Sequence, residues 1–471
     1  MLRAQRSGSG TGCCAARVRR RGSGLHGDNG AVQREIEGYV RGLGLHAYLV
    51  GGAVRDELLG LESKDADFLV LGVDTEQLRE KLAPYGRVED LVVAGRLVGV
   101  RLLPRDRRIR ELTRAGIEFA PPRKEVSTGP GRHDFEIVAD PSLTVEEDMA
   151  RRDFTVNAMA RRLEDGALVD PFGGRDDLAA RRLRTVSPQS FREDPLRLIR
   201  ALRFVSQLGF EPDATLLDQM REEAAGVKLV SGERIGGGLA ADGMGELSKL
   251  LLGAQPAKAL QLAYDTGVLA ELIPEWNAVD AGLAAHIFAV VQQTAYAGDD
   301  LAVRLATFFH DVGKPIDGHW QRHAHVAADI ARETMNRLRY PTRLVRRVYA
   351  IVHEHPFRSE DLPREPRDVR RFLAQHGDEL AWDLIAHRLA DLRGKSMDTS
   401  RVEELAEGLR REQANPHRLA DLALSGDDLI AEGFEPGPEL GRVLGELLAA
   451  VVDEPELNTR NELLARAKEL R

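Results

Sequence analysis

Beyond residue 14 the chain has no cysteine: its only two, Cys13 and Cys14, are neighbours near the start of 471 residues. That scarcity excludes a disulfide framework and a thiolate metal site, and it fits a reducing, cytoplasmic setting. Long apolar runs are also missing. No window approaches the roughly 20 apolar residues that a membrane-spanning helix needs, so no membrane partner is expected. A positive net charge is absent too. The formal charge is −9 and the isoelectric point about 5.9, so any contact with RNA must come from local arginine clusters rather than from a basic chain. No internal repeat stands out. What is there is ordinary for a soluble globular protein: 43% hydrophobic and 30% charged residues, at a length that suggests about three domains.

The first 30 residues differ from the rest. They are rich in Arg, Gly and Ser, have no apolar period and lack the apolar core of a secretory signal. Residues 1–30 are expected to be a disordered extension or an over-called start. A helical spacing follows over 31–46, with Val32, Ile36 and Val40 on one side. "AYLVGG", "ADFLVLGV", "LVGVRLL" and "GIEFA" read as short strands, with helical patterns between some of them. Residues 31–165 therefore suggest a compact domain of mixed strands and helices. After "DPFGG" at 170–174 the patterns are almost all helical. An example is "REDPLRLIRALRFVSQLGF", where Leu196, Ile199, Leu202 and Val205 follow the helix period.

The stretch "YLVGGAVRDELLGLESKDADFLV" at 48–70 sets the chemical problem. In a strand, residues two apart face the same side, so Asp65 and Asp67 would project two carboxylates together. Their repulsion becomes useful if a divalent cation lies between them. Mg²⁺ is such an ion, bound through one or two carboxylates and substrate phosphates. Upstream, Gly51 and Gly52 allow backbone N–H groups to approach phosphate oxygens, and Arg55 adds a cation near a helix start. Glu118 in "GIEFAPPRKE" is the candidate third carboxylate from a neighbouring strand.

The segment "GGAVRDELLGLESKDADFLV" resembles the signature of the class II tRNA nucleotidyltransferases, which include CCA-adding enzymes and bacterial poly(A) polymerases of the polymerase-β-like superfamily. The resemblance runs through most of residues 46–400. It implies an α+β chain: a polymerase-β-like nucleotidyltransferase head, with a mixed sheet and helices, followed by all-α neck, body and HD-domain helices. It also implies that the loop "RKEVSTGPGRHDF" at 123–135 takes part in switching nucleotides. "RRDFTVNA" at 151–158 matches the family motif that lies over a ribose triphosphate. Arg152 would hold phosphate, Asp153 would accept from a ribose hydroxyl, and Asn157 would brace the turn.

The resemblance implies that "EDPLRLIRALRF" at 193–204 carries base selection; on the residues alone it reads as an ion pair on a surface helix. Asp194 and Arg197 are three apart and would share a helix face. Cytosine and adenine each offer an amino donor beside a ring-nitrogen acceptor, whereas uracil and guanine reverse that order. A carboxylate beside a guanidinium therefore accepts C and A, and a mismatch leaves polar groups unpaired at about 1–3 kcal/mol each. Arg200 and Arg203 continue the series towards triphosphate or RNA backbone. One departure concerns the family's S-x-E-R-I-x-x-E-L-x-K segment. Here it reads "SGERIGGGLAADGMGELSKLL" at 231–251, with Ser231, Glu233, Arg234, Glu246, Leu247 and Lys249 kept and about eight extra residues between the halves. Glycines there oppose a continuous helix at about 1 kcal/mol each, which leaves the register of the neck open.

Nine of the thirteen histidines lie between 286 and 387. His286, the adjacent pair His310–Asp311 and a later Asp391 resemble the ligands of an HD-domain phosphohydrolase. His323 and His355 match the extra histidines of two-metal versions, with His319, His325 and His353 as nearby competitors. Imidazoles and carboxylates together suit Ni²⁺, Co²⁺, Mn²⁺ or Zn²⁺ as well as Mg²⁺.

The expected organisation is an extension (1–30), a nucleotidyltransferase head (31–165), a neck with the nucleotide-selecting helix (166–255), a body or linker (256–285), an HD domain (286–400) and a helical tRNA-binding region (401–471). The leading expectation is template-independent addition of C, C and A to tRNA 3′ ends from CTP and ATP, with Mg²⁺ at the head and a divalent metal in the HD site. Poly(A) polymerase or A-only addition is the alternative within the family. A phosphohydrolase with a nucleotide-sensing head is the alternative outside it.

Overall fold

The computed structural model of the chain describes residues 29–61, 67–93, 96–127, 135–237, 244–317, 319 and 322–470. It divides into two compact units. One comprises Met1–Arg123, Ala139–Val145 and Ala160–Val169; the other comprises Lys124–Val138, Glu146–Met159 and Asp170–Arg471.

The strands are β1 (Ala47–Val50), β2 (Asp67–Val70), β3 (Gly86–Val93), β4 (Arg96–Pro104), β5 (Ile117–Ala120), β6 (Arg123–Ser127), β7 (Phe135–Ala139), β8 (Ala160–Arg162) and β9 (Leu168–Val169). Seven form one sheet in the order β3-β4-β5-β2-β1-β8-β9, and β6 pairs with β7 separately. β2 runs parallel to β5, while the other described pairings of the large sheet are antiparallel. This is a mixed sheet with helices, as the α+β expectation requires. β1 lies inside the sheet, and all four of its residues are buried. That explains why "AYLV" is continuously apolar rather than alternating.

β2 and β5 behave differently. Phe68 and Phe119 are register partners, fully buried, with rings stacked at 5.6 Å. Their neighbours Asp67 and Glu118 are also register partners, and the strand period puts them on the opposite face. The helix expected over 31–46 spans Asn29–Arg41 and buries Ile36 and Val40. β3 is an addition to the expected strands. Its sequence "GRVEDLVV" interrupts the apolar run with Glu89 and Asp90, as befits an edge strand.

The second unit is helical from Ser190 onward apart from the two-residue strand Glu211–Pro212. Seven of its helices position the residues of interest: α1 (Leu196–Leu208), α2 (Glu246–Leu251), α3 (Ala281–Ala297), α4 (Leu301–Phe309), α5 (Arg322–Arg337), α6 (Thr342–Glu354) and α7 (Pro366–Gly394). α1 buries Leu196, Ile199, Leu202 and Val205, the positions its period picks out. α7 is broken at Gly377, whose φ of 71° and ψ of 164° are not helical. Towards the C-terminus a separate apolar cluster of Leu424, Leu429, Phe434, Val443, Leu447, Val451, Leu463 and Ala467 holds the last helices together.

Candidate nucleotide-transfer and metal centres

In the first unit, Gly51 has φ 70° where β1 turns into the helix Gly52–Leu58. A side chain there would be strained, so the glycine is needed for the turn itself. Gly52 opens the helix, and Arg55 pairs with its neighbour Asp56 at 2.6 Å. Asp67 opens β2 beside Glu118 on β5, and Glu118 is in turn the register partner of Arg101 on β4. Arg101 donates to the Glu118 carboxylate at 2.5 and 3.1 Å. The structure therefore places Asp67 and Glu118 on adjacent strands on one face, with an arginine bracing the glutamate. Asp65 lies outside the described residues, as do 128–134 of the expected switching loop.

In the second unit, the RRDFT-x-NA residues form a dense polar network. Arg152 contacts the buried Asp148 at 3.4 Å and donates to the Asn157 carbonyl at 3.4 Å. Asp153 accepts from the Phe154 amide at 2.8 Å and from the Asn157 amide nitrogen at 3.0 Å. Its other oxygen accepts twice from Arg200, at 2.6 and 2.9 Å. Burial alone would push the Asp153 carboxyl up; the Arg200 charge and the Asn157 bond outweigh it and hold it well below the usual carboxylate range. Glu246, at the first turn of α2, bridges Arg200 at 3.4 Å and Arg203 at 3.1 Å.

The expected helix face shared by Asp194 and Arg197 takes a different form. α1 begins at Leu196, so Asp194 stands in extended backbone before it, with φ −142° and ψ 101°. Pro195 explains this, because the residue before a proline is pushed out of the helical region. The Asp194 side chain pairs with Arg234 at 2.8 Å and accepts from the Leu196 amide at 3.1 Å. Arg197 is 7% exposed. Its guanidinium donates to the Ser190 hydroxyl at 3.0 Å, to Glu193 at 3.0 Å and to the Arg151 carbonyl at 2.6 Å. Each side chain is held by other partners rather than by the other.

The HD residues converge. His286 comes from α3, His310 and Asp311 follow α4, His323 is on α5, His355 follows α6, and Asp391 is on α7. They form two triads that share one carboxylate: His286, His310 and Asp311; and Asp311, His323 and His355. Asp311 Oδ2 lies 3.3 Å from His286 Nε2 and 3.2 Å from His310 Nε2, while its Oδ1 lies 3.3 Å from His323 Nε2 and 3.9 Å from His355 Nε2. Asp391 Oδ1 approaches His286 Nε2 at 3.4 Å and His310 Nε2 at 4.0 Å. Nδ1 of His310, His323 and His355 each meets a backbone carbonyl, of Thr307, His319 and Val352, at 2.7, 3.2 and 2.6 Å. A carbonyl only accepts, so these rings carry the proton on Nδ1 and turn an Nε2 lone pair inward. That is the tautomer a metal needs.

The competitors stand apart. His325 and His353 stack on each other at 4.3 Å, and His319 is exposed. Lys314 lies 2.5 Å from Asp311, and Arg388 and Lys395 reach Asp391 at 3.0 and 2.7 Å. Burial lowers the His355 pKa to about 3, so the ring stays neutral at physiological pH. A residue that sequence reading passed over also sits here. His387 is 1% exposed and packs its ring 5.2 Å from His310 and 5.2 Å from His355. Its position four residues before Asp391 was the available signal, since that spacing shares a helix face.

Comparison with known proteins places these features in a family. Residues 47–184 match the poly A polymerase head domain, 209–280 the probable RNA and SrmB-binding site of polymerase A, and 283–383 the HD domain. The multifunctional CCA protein of Thioalkalivibrio sulfidiphilus is 33% identical over 437 residues, spanning 86% of this chain and 96% of that protein. The chain belongs to the CCA-adding and poly(A) polymerase family of class II nucleotidyltransferases, with an HD domain. The multifunctional CCA protein of Pseudomonas aeruginosa is 35% identical over 343 residues, 68% of this chain and 77% of that one. Among solved structures, the Bacillus stearothermophilus CCA-adding enzyme in complex with CTP matches at TM-score 0.62 and 26% identity, covering 93% of this chain and 96% of that one. The Thermotoga maritima CCA-adding enzyme complexed with tRNA shares the fold at TM-score 0.59 and 21% identity, covering 94% of this chain and 95% of that one. This nucleotidyltransferase is thus an enzyme whose second unit carries a divalent-metal donor set of histidines and aspartates. No described helix is long and apolar enough to cross a membrane.

Proposed function

We propose that this nucleotidyltransferase adds C, C and A to tRNA 3′ ends from CTP and ATP without a nucleic-acid template. The observation that carries the reading is the pairing, in one chain, of the Asp67–Glu118 carboxylate row with an HD donor set, in a sequence that spans 96% of a multifunctional CCA protein. The functional parts we assign are the head (31–165), neck (166–255), body (256–285), HD domain (286–400) and tRNA-binding helices (401–471).

The attacking group is the 3′-hydroxyl of the RNA, in line on the α-phosphate of the incoming nucleotide. Asp65 and Asp67 would hold Mg²⁺, with Glu118 beside Asp67 as third carboxylate, and the side-by-side acidic pair in β2 and β5 fits a hard oxygen-seeking ion. Bound Mg²⁺ would supply positive charge opposite the departing pyrophosphate. Gly51, Gly52 and Arg55 receive the triphosphate, together with Arg152 and Arg203. Asp153 takes a ribose hydroxyl, held in place by Asn157 and Arg200. Asp194 and Arg197 choose the base. This last assignment asks Asp194 to exchange its Arg234 partner for the amino group of cytosine or adenine, and Arg197 to turn one donor from the protein to a ring nitrogen.

The second centre, His286, His310, Asp311, His323, His355 and Asp391, would hold a divalent metal (Ni²⁺, Co²⁺, Mn²⁺, Zn²⁺ or Mg²⁺). Such an ion supplies Lewis acidity towards a phosphate ester. We assign the chain a phosphohydrolase activity there.

Incubation of purified protein with tRNA ending at the discriminator base, labelled CTP and ATP tests the first activity. Three added nucleotides in the order C, C, A are expected. A failure to incorporate C overturns the CCA reading, and a long ladder with ATP alone establishes poly(A) synthesis in its place.

A further inference from the structure

The two HD triads are unequal. An ion at His286, His310 and Asp311 would have a further carboxylate within reach, Asp391, whose Oδ1 lies 3.4 Å from His286 Nε2. An ion at Asp311, His323 and His355 would have the three donors of its triad. Four ligands complete a tetrahedral shell, and where the protein gives three a water takes the fourth position. One turn before Asp391 on the same face of α7 stands His387. Its ring lies 5.2 Å from His355 and 5.2 Å from His310. The rings that share a triad are spaced alike, at 5.3 Å for His286 and His310 and 5.2 Å for His323 and His355.

His387 is the histidine of this centre without a hydrogen-bond partner. It is 1% exposed, and among the described residues neither Nδ1 nor Nε2 has one. His310, His323 and His355, by contrast, each fix Nδ1 on a backbone carbonyl. A buried polar group left so is destabilising. A leucine would fill the same space without that cost, so packing alone does not call for an imidazole. His387 also lies beyond residue 383, where the match to the HD domain stops.

We propose that His387 is the fourth protein ligand of the metal ion held by Asp311, His323 and His355. The proposal rests on the reading of this cluster as a metal centre. Its nitrogens lie outside both triads as placed, so coordination requires the imidazole to move inward. With it, the second ion has three imidazoles and one carboxylate. Such a set favours Co²⁺, Ni²⁺ or Zn²⁺ over Mg²⁺, which prefers oxygen. The two ions then differ: one sits among two imidazoles and two carboxylates, the other in the nitrogen-rich set.

The test is a Co²⁺ titration of the full-length, chelator-stripped protein, read by metal content and by the visible ligand-field bands that report coordination. Wild type is expected to take up two ions per chain. His387→Leu is expected to keep the first and to bind the second about 10-fold or more weakly, with changed bands and a lower preference for Co²⁺ over Mg²⁺. Asp391→Asn weakens the other ion instead. His387→Gln gives the same loss of the imidazole band, and thermal unfolding of both metal-free variants checks the fold. Two ions bound to His387→Leu with wild-type affinity and spectrum overturn the proposal and leave the metal centre standing. Wild type that binds no ion overturns both.

Discussion

Asp153 shows how one buried carboxylate organises a polar network. It takes two bonds from Arg200, one from Asn157 and one from the Phe154 amide. Removing the charge by Asp153→Asn leaves Arg200, 30% exposed at its side chain, with Glu246 as its remaining acidic partner. Breaking one side of a buried pair costs about 3 kcal/mol when the other side keeps some access to water. The folded protein holds the Asp153 pKa below its ordinary value. Its contribution is therefore complete above the unfolded carboxylate pKa of about 3.9 and is lost as pH falls through the folded value. The difference in unfolding free energy between wild type and Asp153→Asn, measured by urea denaturation, is expected to be flat from about pH 8 to pH 5. A difference that shrinks within that range contradicts the assignment of a depressed pKa.

At the scale of elements, close approach of backbones sets the second triad. After Asp311 the chain passes Gly313, where an added Cβ would lie 2.3 Å from the His323 carbonyl and 2.8 Å from the Ala327 amide nitrogen. Gly313→Ala must push this turn away from α5, which carries His323. Such overpacking costs about 1–3 kcal/mol. The variant is expected to melt lower and to lose metal from the Asp311–His323–His355 side before the His286–His310 side, as metal content and Co²⁺ bands would record. Unchanged stoichiometry and melting would show that the turn yields without moving His323.

The interrupted segment at 231–251 makes a second element-scale case. α2 begins at Glu246, and the short helix Gly232–Ile235 lies before the extra residues. Gly237 and Met244 pair antiparallel, and the Gly245 amide donates to the Gly236 carbonyl at 3.0 Å. The ends of the extra segment are thus joined at its base, and Glu246 still bridges Arg200 and Arg203. Replacing 238–243 by Asn-Gly, a two-residue hairpin turn, is expected to leave nucleotide incorporation within about 3-fold of wild type on that physical ground. A loss of 100-fold or more would assign the extra segment a part in the reaction.

These elements also show what the sequence discloses. The mixed sheet, the helical remainder and the helical face of Leu196, Ile199, Leu202 and Val205 were legible because apolar periodicity records burial. β3 was not, since Glu89 and Asp90 interrupt its apolar run at a sheet edge. His310 and Asp311 were legible as an adjacent pair, and the converging His286, His323, His355 and Asp391 through family spacing. His387 was missed because its tie to His310 and His355 is spatial: three helices bring together rings that are far apart in sequence. Arg197's partners were missed for the same reason, as its hydrogen bond to the Arg151 carbonyl spans 46 residues.

For the whole molecule, the question is whether one chain carries two chemistries that can be removed separately. Asp67 and Glu118 occupy the sheet of the first unit, whereas Asp311 bridges two triads in the second. No donor is common to both sets. Asp67→Asn removes the proposed Mg²⁺ ligand and one charge from the β2–β5 row, so incorporation of CTP and ATP into tRNA is expected to fall by at least about 100-fold. Metal-dependent hydrolysis of a phosphomonoester or a 2′,3′-cyclic phosphate is expected to stay near wild type. Asp311→Asn breaks both triads at once; it is expected to abolish hydrolysis and metal uptake while nucleotide addition remains. Each variant must be assayed for both reactions and for two-state melting, because Asp311 also pairs with Lys314 at 2.5 Å. Loss of nucleotide addition in a folded Asp311→Asn protein would mean that the HD centre serves the polymerase reaction, and the assignment of two independent activities would fail.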